Sequence, residues 1–274
     1  MAVEKLINTS GYNAVVKGRY GYVLFNKNDQ YIGKAIEKYG EFSESEVEIF
    51  RQLCGAGDIV VEVGANIGTH TMVLAQFVGN TGRVYAYEPQ RIIFQTLCAN
   101  MALNNIENVE CFQVALADAP GHILFPDIRY DIAGNFGAVE MDKFAAGNKI
   151  PVARLDDALE APRLKLIKID AEGMEHKVIS GATGLIGRHR PFLYVENDRI
   201  DKSQALIELI LSLDYRLYWH CPPLFNPANF AGDPENIYPH TVSINMICVP
   251  RANPIEMMGF QEIARADEHP MKAP

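Results

Sequence analysis

The amino-acid sequence predicts a doubly wound α/β fold: a mostly parallel sheet of seven strands, with an antiparallel hairpin at one edge and an N-terminal extension. Two observations predict this fold. Short runs of apolar, β-branched residues alternate with segments whose apolar residues recur every three or four positions, which is typical of parallel strands joined by helical crossovers. The last two predicted strands have no helix between them, so they favour antiparallel pairing. Ligands of such sheets bind where the carboxyl ends of the strands meet.

Length and composition set the outer bounds. The chain has 274 residues, of which 48% are hydrophobic, enough for one large α/β core with an extension. We therefore divide it into an N-terminal extension over residues 1–55, a main domain over 56–250 and a polar tail over 251–274. The formal net charge of −9 argues against nucleic-acid partners, which bind to basic faces.

Cysteine usage and apolar runs bear on the location of the protein. The 5 cysteines are widely spaced and lie mostly in apolar runs, and an odd number without zinc-like spacing is typical of reduced core thiols. The N-terminus does not resemble a signal peptide, and no apolar run approaches the roughly 18 residues of a membrane span. We expect a cytoplasmic protein without a membrane span, and the sequence leaves open whether it forms a homo-oligomer.

The N-terminal extension contains two predicted elements. Residues 12–25 alternate in polarity and turn near Gly18 and Gly21, which predicts a β-hairpin. Ser43, with Glu46 three residues later, forms a capping-box pattern, and the apolar stripe after it predicts a helix. We expect this helix to dock beside the first strand of the main domain.

Residues 58–89 form the unit around which the main domain is organised. A β-branched strand is followed by the turn from Gly64 to Gly68, a helix, and a second strand that places Glu88 at its carboxyl end. Glycine lets the backbone approach a ligand, and a helix N-terminus favours a carboxylate or phosphate. An acid 24 residues after the first glycine can hold ribose hydroxyls, so the unit predicts a nucleoside site.

The rest of the main domain continues the alternation of strands and helices. Residues 126–148 form a loop without clear period, and a proline-rich, irregular connection separates the last two strands. The predicted strands are 58–63, 83–87, 109–114, 164–169, 192–195, 216–220 and 242–249, with a β excursion at 121–125. The predicted helices are 67–78, 91–103, 175–186 and 203–213, followed by a short one at 257–265.

Several residues lie just past the ends of predicted strands. Because the carboxyl ends of parallel strands meet at one edge of a sheet, we expect these residues to lie close together. They are Gly64, Glu88, Ala115, Asp170 and Glu196.

The glycine turn argues against a dinucleotide ligand. A dinucleotide fingerprint needs glycine at its third position, where the backbone meets a pyrophosphate, and Asn66 stands there. The sixth position, normally glycine or alanine, is Thr69. The pattern Gly64-x-x-x-Gly68 after the acidic Glu62 fits better with the loop that cradles the methionine half of S-adenosylmethionine.

Four motifs occur in order along the chain. They are Val61-Glu62-Val63-Gly64-Ala65-Asn66-Ile67-Gly68, Tyr87-Glu88-Pro89, Val114-Ala115-Leu116-Ala117-Asp118, and Lys168-Ile169-Asp170-Ala171-Glu172-Gly173 with Glu175 and Gly181-Ala182. In this order they resemble the FkbM-type family of S-adenosylmethionine-dependent methyltransferases, which has the class I, Rossmann-like fold. The likeness spans residues 40–250 and implies an enzyme that methylates hydroxyl groups of sugars or secondary metabolites.

The resemblance implies a set of cofactor-binding residues. Glu88 would bind the ribose hydroxyls, Glu62 would help to hold the ammonium group, and Ala115 would lie near adenine. The other residues implied are Gly64, Ala65, Asn66, Gly68, Thr69, Pro89 and Asp170. His70 follows the glycine turn, and a surface position is the simpler interpretation for it.

Methyl transfer from a sulfonium needs a base. The reaction is an in-line displacement, so the enzyme must hold a nucleophile roughly 3 Å from the methyl carbon and remove its proton. Asp170 ends the strand beside the cofactor loop and is the predicted base. Glu172 and Glu175 follow, but acids at the start of a helix also cap it, so both roles stay open. Glu196 would orient a substrate hydroxyl, and His220, expected to face the same edge, is a second candidate base.

A divalent metal such as magnesium is the alternative to a metal-free site. In catechol-type O-methyltransferases, an acid at the fourth strand and an Asp-Asn pair at the fifth bind magnesium, and Asp170 with Glu196 and Asn197 looks similar. Such an ion would lower the pKa of a substrate hydroxyl. Three oxygen ligands are a minimum for such a site, so we prefer the metal-free interpretation.

Together these features predict an S-adenosylmethionine-dependent O-methyltransferase that acts on a hydroxyl of a small metabolite or glycan. One alternative is an N-methyltransferase, although the Asn/Asp-Pro-Pro-aromatic motif that binds a planar amine is missing after the fourth strand. Another is a non-catalytic cofactor-binding module. A nicotinamide dehydrogenase is disfavoured by Asn66. The N-terminus and the loop over 222–239 should select the acceptor.

Overall fold

The computed structural model describes residues 3–140 and 144–272. Its strands are β1 (Lys5–Asn8), β2 (Asn13–Gly18), β3 (Gly21–Asn26), β4 (Ile59–Val63), β5 (Arg83–Tyr87), β6 (Val109–Phe112), β7 (Ala115–Leu116), β8 (Gly121–Phe125), β9 (Asn148–Ala153), β10 (Leu166–Ile169), β11 (Phe192–Glu196), β12 (Tyr215–His220), β13 (Asn245–Pro250) and β14 (Gln261–Glu262). Its helices are α1 (Ile32–Tyr39), α2 (Glu44–Leu53), α3 (Thr69–Val78), α4 (Arg91–Leu103), α5 (Leu155–Ala158), α6 (Glu175–Ser180), α7 (Thr183–His189) and α8 (Ile200–Ser212). Over these ranges, no helix has the length and apolar character needed to cross a membrane.

A mixed sheet of 8 strands forms the centre, in the order β14-β12-β13-β11-β10-β4-β5-β6. The five adjacent strands β11, β10, β4, β5 and β6 pair in parallel with their neighbours in this order. Strand β13 pairs antiparallel with both β11 and β12. The sheet therefore has the predicted antiparallel edge hairpin but one strand more than predicted. The extra strand is β14, which pairs with the open edge of β12 where the sequence predicts a helix over 257–265. That helix prediction is wrong, because an unpaired strand edge offers hydrogen bonds that local periodicity does not reveal.

Helices cover both faces of the central strands. Ile167 and Ile169 of β10 pack on one side into the cluster that contains the buried face of α8. Leu166 packs on the other side with apolar residues of α2 and α3. Because both faces are covered, the carboxyl ends of β4, β5, β10 and β11 remain as the edge at which a ligand can reach the sheet.

The helix predicted over residues 175–186 is divided into α6 and α7. Between them, a Cβ at Gly181 would lie 2.0 Å from the carbonyl oxygen of Ala117, so this position requires glycine for close packing. The Asp156 carboxylate then accepts two backbone N–H groups in the first turn of α7, at 2.9 and 2.8 Å. Tertiary contacts therefore interrupt a segment whose local pattern is continuous.

The predicted N-terminal hairpin is confirmed. Strands β2 and β3 pair antiparallel with Gly18 opposite Gly21, and β1 adds a third strand. The buried Asn100 of α4 joins this sheet to the main domain, because its amide accepts and donates hydrogen bonds at the backbone of Leu24, at 2.7 and 3.0 Å, and donates to the carbonyl of Ile67 at 2.7 Å. The N-terminal segment is thus attached beside the glycine turn.

A small second sheet has the order β7-β9-β8. Strand β8 matches the predicted excursion at 121–125, whereas β9 was not predicted. Ile150 and Val152 are buried and the intervening Pro151 is exposed, which is a period-two signal, but a proline argues against a strand at the centre of a sheet.

The proline-rich connection is irregular, as predicted. Residues 221–244, all within the described part of the chain, contain neither a helix nor a named strand. The buried Glu41 carboxylate holds this connection against the N-terminal segment, since it accepts the N–H of Phe230 and the amide of Asn226, each at 2.7 Å, and the Arg19 guanidinium at 2.6 Å.

Candidate active site

A cavity opens at the carboxyl ends of the parallel strands. The glycine turn and the ends of β5, β10 and β11 line it, together with parts of the N-terminal segment, the loop over 135–138 and residues 241–245. The sequence-predicted residues that line it are Glu62, Gly64, Ala65, Asn66, Thr69, Glu88, Pro89, Ala115, Asp170 and Glu196. Those outside its lining are Gly68, Asn197 and His220.

The glycine turn lies directly against the end of β10. Gly64 has a φ of 75°, and a Cβ there would lie 1.7 Å from the carbonyl oxygen of Asp170. Asn66 has a φ of 50°, and its Oδ1 accepts the N–H of Ile67 at 2.8 Å, a local hydrogen bond that helps asparagine adopt the left-handed conformation. The glycine at position 64 therefore lets the carboxyl ends of β4 and β10 approach each other at the cavity.

Packing against α4 explains why residue 68 is a glycine. A Cβ there would lie 2.7 Å from Leu97 Cδ1 and 2.9 Å from Met101 Cε, so the missing side chain lets the turn pack against α4. Gly68 thus packs against the helix behind the turn, and its contact with the cofactor stays a prediction.

The Glu88 carboxylate is fixed by backbone groups at the end of β5. Its two oxygens accept the N–H of Asn66 at 3.0 Å and the N–H of Gln90 at 2.8 Å, and the residue is 4% exposed. Burial raises the pKa of Glu88 to about 7, and the two backbone hydrogen bonds oppose that shift. A carboxylate has about four acceptor positions, so about two remain for hydroxyl donors in the cavity.

A buried ion pair, missed by the sequence analysis, lies beside the glycine turn. Lys168 and Glu62 are register partners on β10 and β4 and are 2% and 1% exposed. Lys168 Nζ lies 3.8 Å from Glu62 Oε1 and 3.4 Å from Asp170 Oδ2, while the Thr71 hydroxyl donates to Glu62 Oε2 at 2.6 Å. Burial raises the pKa of Glu62 to about 7, although Lys168 opposes the shift. A lysine inside an apolar strand was the available signal.

Three carboxylates converge next to this ion pair. Asp170, Glu172 and Glu196 each place an oxygen within 4.8 Å of the others. Glu172 pairs with Arg199 at 2.7 Å and Asp170 with Lys168 at 3.4 Å, whereas Glu196 Oε2 is buried without a hydrogen-bond partner among the described residues. Burial first, and then the charges of Asp170 and Glu172, raise the pKa of Glu196 well above its usual range.

Two other candidates have different partners. Asn197 is buried, donates to the sulfur of Met246 at 3.3 Å and lies outside the cavity lining, whereas Glu172 lies close to Asp170 and Glu196. Glu175 accepts the backbone N–H groups of Ala171 and Gly173, at 3.0 and 2.9 Å, so its carboxylate is engaged by the turn that precedes α6. Asn197 was considered for its likeness to a metal-binding pair and Glu175 because it follows Asp170, and neither observation fixes the direction of a side chain.

The two histidines are placed opposite to expectation. His220 lies outside the cavity lining, with Nδ1 2.8 Å from the Tyr194 hydroxyl and its ring centroid 5.5 Å from that of Phe260. His70 is only 6% exposed and lines the cavity, and its Nε2 has no hydrogen-bond partner in the described ranges. Burial, with a smaller effect of Lys168, lowers the pKa of His70 to about 3, so the ring is neutral.

Some residues of the cavity lining come from segments that are distant in sequence. Glu46 belongs to the predicted capping box, but it lines the cavity and accepts the Ser43 hydroxyl at 2.8 Å. Gln90 also lines the cavity and donates to the carbonyl of Phe136 at 2.9 Å, which attaches the loop over 135–138 to the end of β5. Local sequence patterns do not reveal such contacts.

The fold and the cavity define a Rossmann-like α/β protein with a glycine turn and strand-end acids at one ligand edge. The model of the methyltransferase FkbM domain matches residues 62–217, more than half of the chain. The chain belongs to this family of S-adenosylmethionine-dependent methyltransferases.

Several solved structures are similar to this chain at low identity. A methyltransferase FkbM from Methylobacillus flagellatus is 18% identical with a TM-score of 0.48, over 74% of this chain and 50% of that one. A precorrin-6y C5,15-methyltransferase from Geobacter metallireducens is 12% identical with a TM-score of 0.46, over 74% and 84%. An rRNA methylase from Streptococcus thermophilus is 13% identical with a TM-score of 0.43, over 75% and 94%. This chain thus spans half the length of the Methylobacillus protein, and no curated protein matches it.

Proposed function

We propose that the protein is an S-adenosylmethionine-dependent O-methyltransferase whose acceptor is a hydroxyl of a small metabolite or glycan. One observation carries the proposal: the predicted cofactor residues other than Gly68, and the carboxylates of Asp170 and Glu196, line the same cavity. Family membership supplies methyl transfer as the chemistry. A hydroxyl acceptor needs a group that removes its proton, and a carboxylate at the strand end can do so.

The cavity residues fit the methyl donor. Glu88 has acceptor positions left for a pair of ribose hydroxyls, and the buried Ala115 and Leu116 offer an apolar surface for adenine. Glu62 Oε1 is buried without a hydrogen-bond partner among the described residues, which suits an ammonium donor. When bound, S-adenosylmethionine supplies an activated methyl group, and the protein holds and orients the reactants.

Asp170 is the proposed general base. Its side chain is 40% exposed and lines the cavity, so an acceptor can reach it. Glu172 is less accessible and already paired with Arg199. With the methyl donor bound, Asp170 would take the proton of the acceptor hydroxyl as the acceptor oxygen bonds to the methyl carbon, the carbon–sulfur bond breaks and S-adenosylhomocysteine leaves. Lys168, at 3.4 Å, holds the Asp170 carboxylate in position.

Glu196 and Asn245 are the proposed acceptor-orienting pair. They are opposite each other in the antiparallel register of β11 and β13, and both line the cavity. Glu196 Oε2 and Asn245 Nδ2 both lack hydrogen-bond partners in the described part of the chain. A hydroxyl can accept from the amide and interact with the carboxyl group at the same time, so this pair suits an alcohol.

The proposal contains no resident metal ion. Three converging carboxylates attract cations, but Lys168 and Arg199 already supply positive charge to Asp170 and Glu172. A divalent ion would have to compete with both side chains for the same oxygens.

N-methyl transfer is the second candidate, and it is favoured by the negative charge of the part of the cavity in which we place the acceptor. The lining residues there include Asp170, Glu172, Glu196 and Asp198, which would attract an ammonium group. An ammonium group must lose a proton before its nitrogen can attack, so Asp170 would serve as base for either acceptor.

The test compares Asp170→Asn with the wild type. Given methyl-labelled S-adenosylmethionine and a panel of hydroxylated metabolites and glycans, the wild type should label at least one acceptor. Asp170→Asn should lose about 10²- to 10⁴-fold of that rate and keep its affinity for S-adenosylhomocysteine. Asp118→Asn, an exposed acid just past β7, is the matched control. Wild-type turnover by Asp170→Asn would exclude Asp170 as the base.

A further inference from the structure

We infer that Lys168 binds the carboxylate of the methionine moiety of S-adenosylmethionine, next to Glu62, to which the family resemblance already assigns the ammonium group. The two side chains would form one receptor for an amino-acid zwitterion. This inference rests on the proposed function, because it assumes that the methyl donor occupies the cavity.

The sheet holds the two charges side by side. Lys168 and Glu62 are paired in the parallel register of β10 and β4, whose backbones lie about 4.8 Å apart as neighbouring strands do. Both side chains are almost fully buried, and both line the cavity next to the glycine turn. A cation and an anion at this separation match an amino acid, whose ammonium and carboxylate groups are attached to the same carbon.

Protein partners do not saturate either side chain. An ammonium has three N–H donors, yet Lys168 Nζ makes one long hydrogen bond, 3.4 Å to Asp170, within the described residues. Its distance of 3.8 Å to Glu62 is longer than a charge-assisted hydrogen bond, which is about 2.8 Å. Glu62 Oε1 is buried and accepts no hydrogen bond in the described ranges. Buried charges with unused hydrogen-bonding capacity are costly, so a ligand that completes them binds favourably.

The charge of the cavity singles out Lys168. S-adenosylmethionine carries two cationic groups, its ammonium and its sulfonium, and one carboxylate. Among the described residues that line the cavity, Lys168 is the only lysine or arginine, whereas seven are acidic. The acidic lining suits the two cationic groups of the ligand, and the single carboxylate then has one cationic side chain available to it.

The backbone offers a competing partner for the carboxylate. The N-terminus of α3 follows the glycine turn, and helix N-termini bind anions through their free N–H groups. The two possibilities differ in one respect: only the first makes discrimination for the carboxylate depend on Lys168.

The test measures by calorimetry how tightly three ligands bind to the wild type and to Lys168→Met. The ligands are S-adenosylhomocysteine, its decarboxylated analogue, and 5′-methylthioadenosine, which lacks the whole amino acid. The wild type should bind S-adenosylhomocysteine at least about tenfold more tightly than the decarboxylated analogue, because hydrogen bonds to charged groups are strong. Lys168→Met should lose that preference and bind 5′-methylthioadenosine within about twofold of the wild type.

Lys165→Met is the matched control, since Lys165 Nζ lies 5.3 Å from the centre of the Phe192 ring and outside the cavity lining. It should keep the full preference for the carboxylate. A Lys168→Met protein that still prefers S-adenosylhomocysteine to the decarboxylated analogue as strongly as the wild type does would overturn the inference in favour of the helix N-terminus. If Lys168→Met does not fold, Lys168→Gln is measured in its place, with the same two outcomes. Equal affinity of the wild type for the two larger ligands also overturns the inference while leaving the proposed function intact. A wild type that binds none of the three ligands refutes both.

Discussion

Replacing Glu88 by alanine should almost abolish binding of S-adenosylhomocysteine. The carboxylate is proposed to accept both ribose hydroxyls, and it also accepts the backbone N–H groups of Asn66 and Gln90 at 3.0 and 2.8 Å. Alanine removes the ligand contacts and leaves two N–H groups without their partner. Glu88→Gln keeps one acceptor oxygen and therefore separates the two effects.

The magnitude follows from the number of hydrogen bonds lost. Each hydrogen bond to a charged group contributes about 1.5–3 kcal/mol. Two such bonds correspond to about 3–6 kcal/mol, or a loss of affinity of about 10²- to 10⁴-fold. The two freed N–H groups cost about 1–3 kcal/mol each in the stability of the fold, unless water replaces the carboxylate. Glu88→Gln should lose about tenfold in affinity, since its amide keeps a neutral acceptor.

The assay is calorimetric titration of S-adenosylhomocysteine into the wild type and both variants, with urea unfolding of each to establish that it is folded. Glu110→Ala is the matched control, because Glu110 is an exposed acid on the neighbouring strand β6. A folded Glu88→Ala protein with wild-type affinity would refute the assignment of the ribose site, and with it the reasoning from the strand-end acid.

Three further predictions concern the backbone, the pH dependence of stability and the absence of a metal. Gly64→Ala should lower the melting temperature far more than Gly79→Ala. Both glycines have a positive φ, but only at Gly64 would a Cβ lie 1.7 Å from a carbonyl oxygen, so equal melting temperatures in circular dichroism would contradict this prediction. Burial raises the pKa of Glu88 to about 7 from 4.5, so the folded state binds more protons between these values and this group's contribution to stability falls as pH rises through that window. Urea unfolding should therefore show Glu88→Gln gaining stability relative to the wild type from pH 4.5 to 7, and a constant difference would contradict the shift. Dialysis against EDTA should leave methyl transfer unchanged, and a loss restored by magnesium would instead establish a metal site at the three carboxylates.

The features that the sequence predicted correctly depend on interactions within short segments of the chain. The bounds of β5 and α4 match the predicted ranges 83–87 and 91–103, because their periodicity and flanking residues are complete within each segment. The glycine turn and Glu88 were predictable for a similar reason, since the geometry of one strand-turn-helix-strand unit places them together. The ligand edge followed from the parallel sheet alone.

Contacts between distant segments explain what the sequence could not predict. Lys168 appears in sequence as one charge in an apolar strand, and its significance depends on the register that sets it beside Glu62. The direction of a side chain at a strand end depends on its neighbours in the fold, which is why Asn197 and His220 lie outside the cavity lining while His70 lies within it. The boundary between α6 and α7 likewise depends on the backbone of a different segment.

The most direct test of the central claim is to follow an isotopically labelled methyl group from S-adenosylmethionine into the product by nuclear magnetic resonance. Incubation of the wild type with labelled donor and an acceptor found in the hydroxylated panel should give a methyl group bonded to oxygen, and Asp170→Asn should give little or none. A label bonded to nitrogen or carbon, or a protein that binds S-adenosylhomocysteine and transfers no label to any acceptor, would contradict the account.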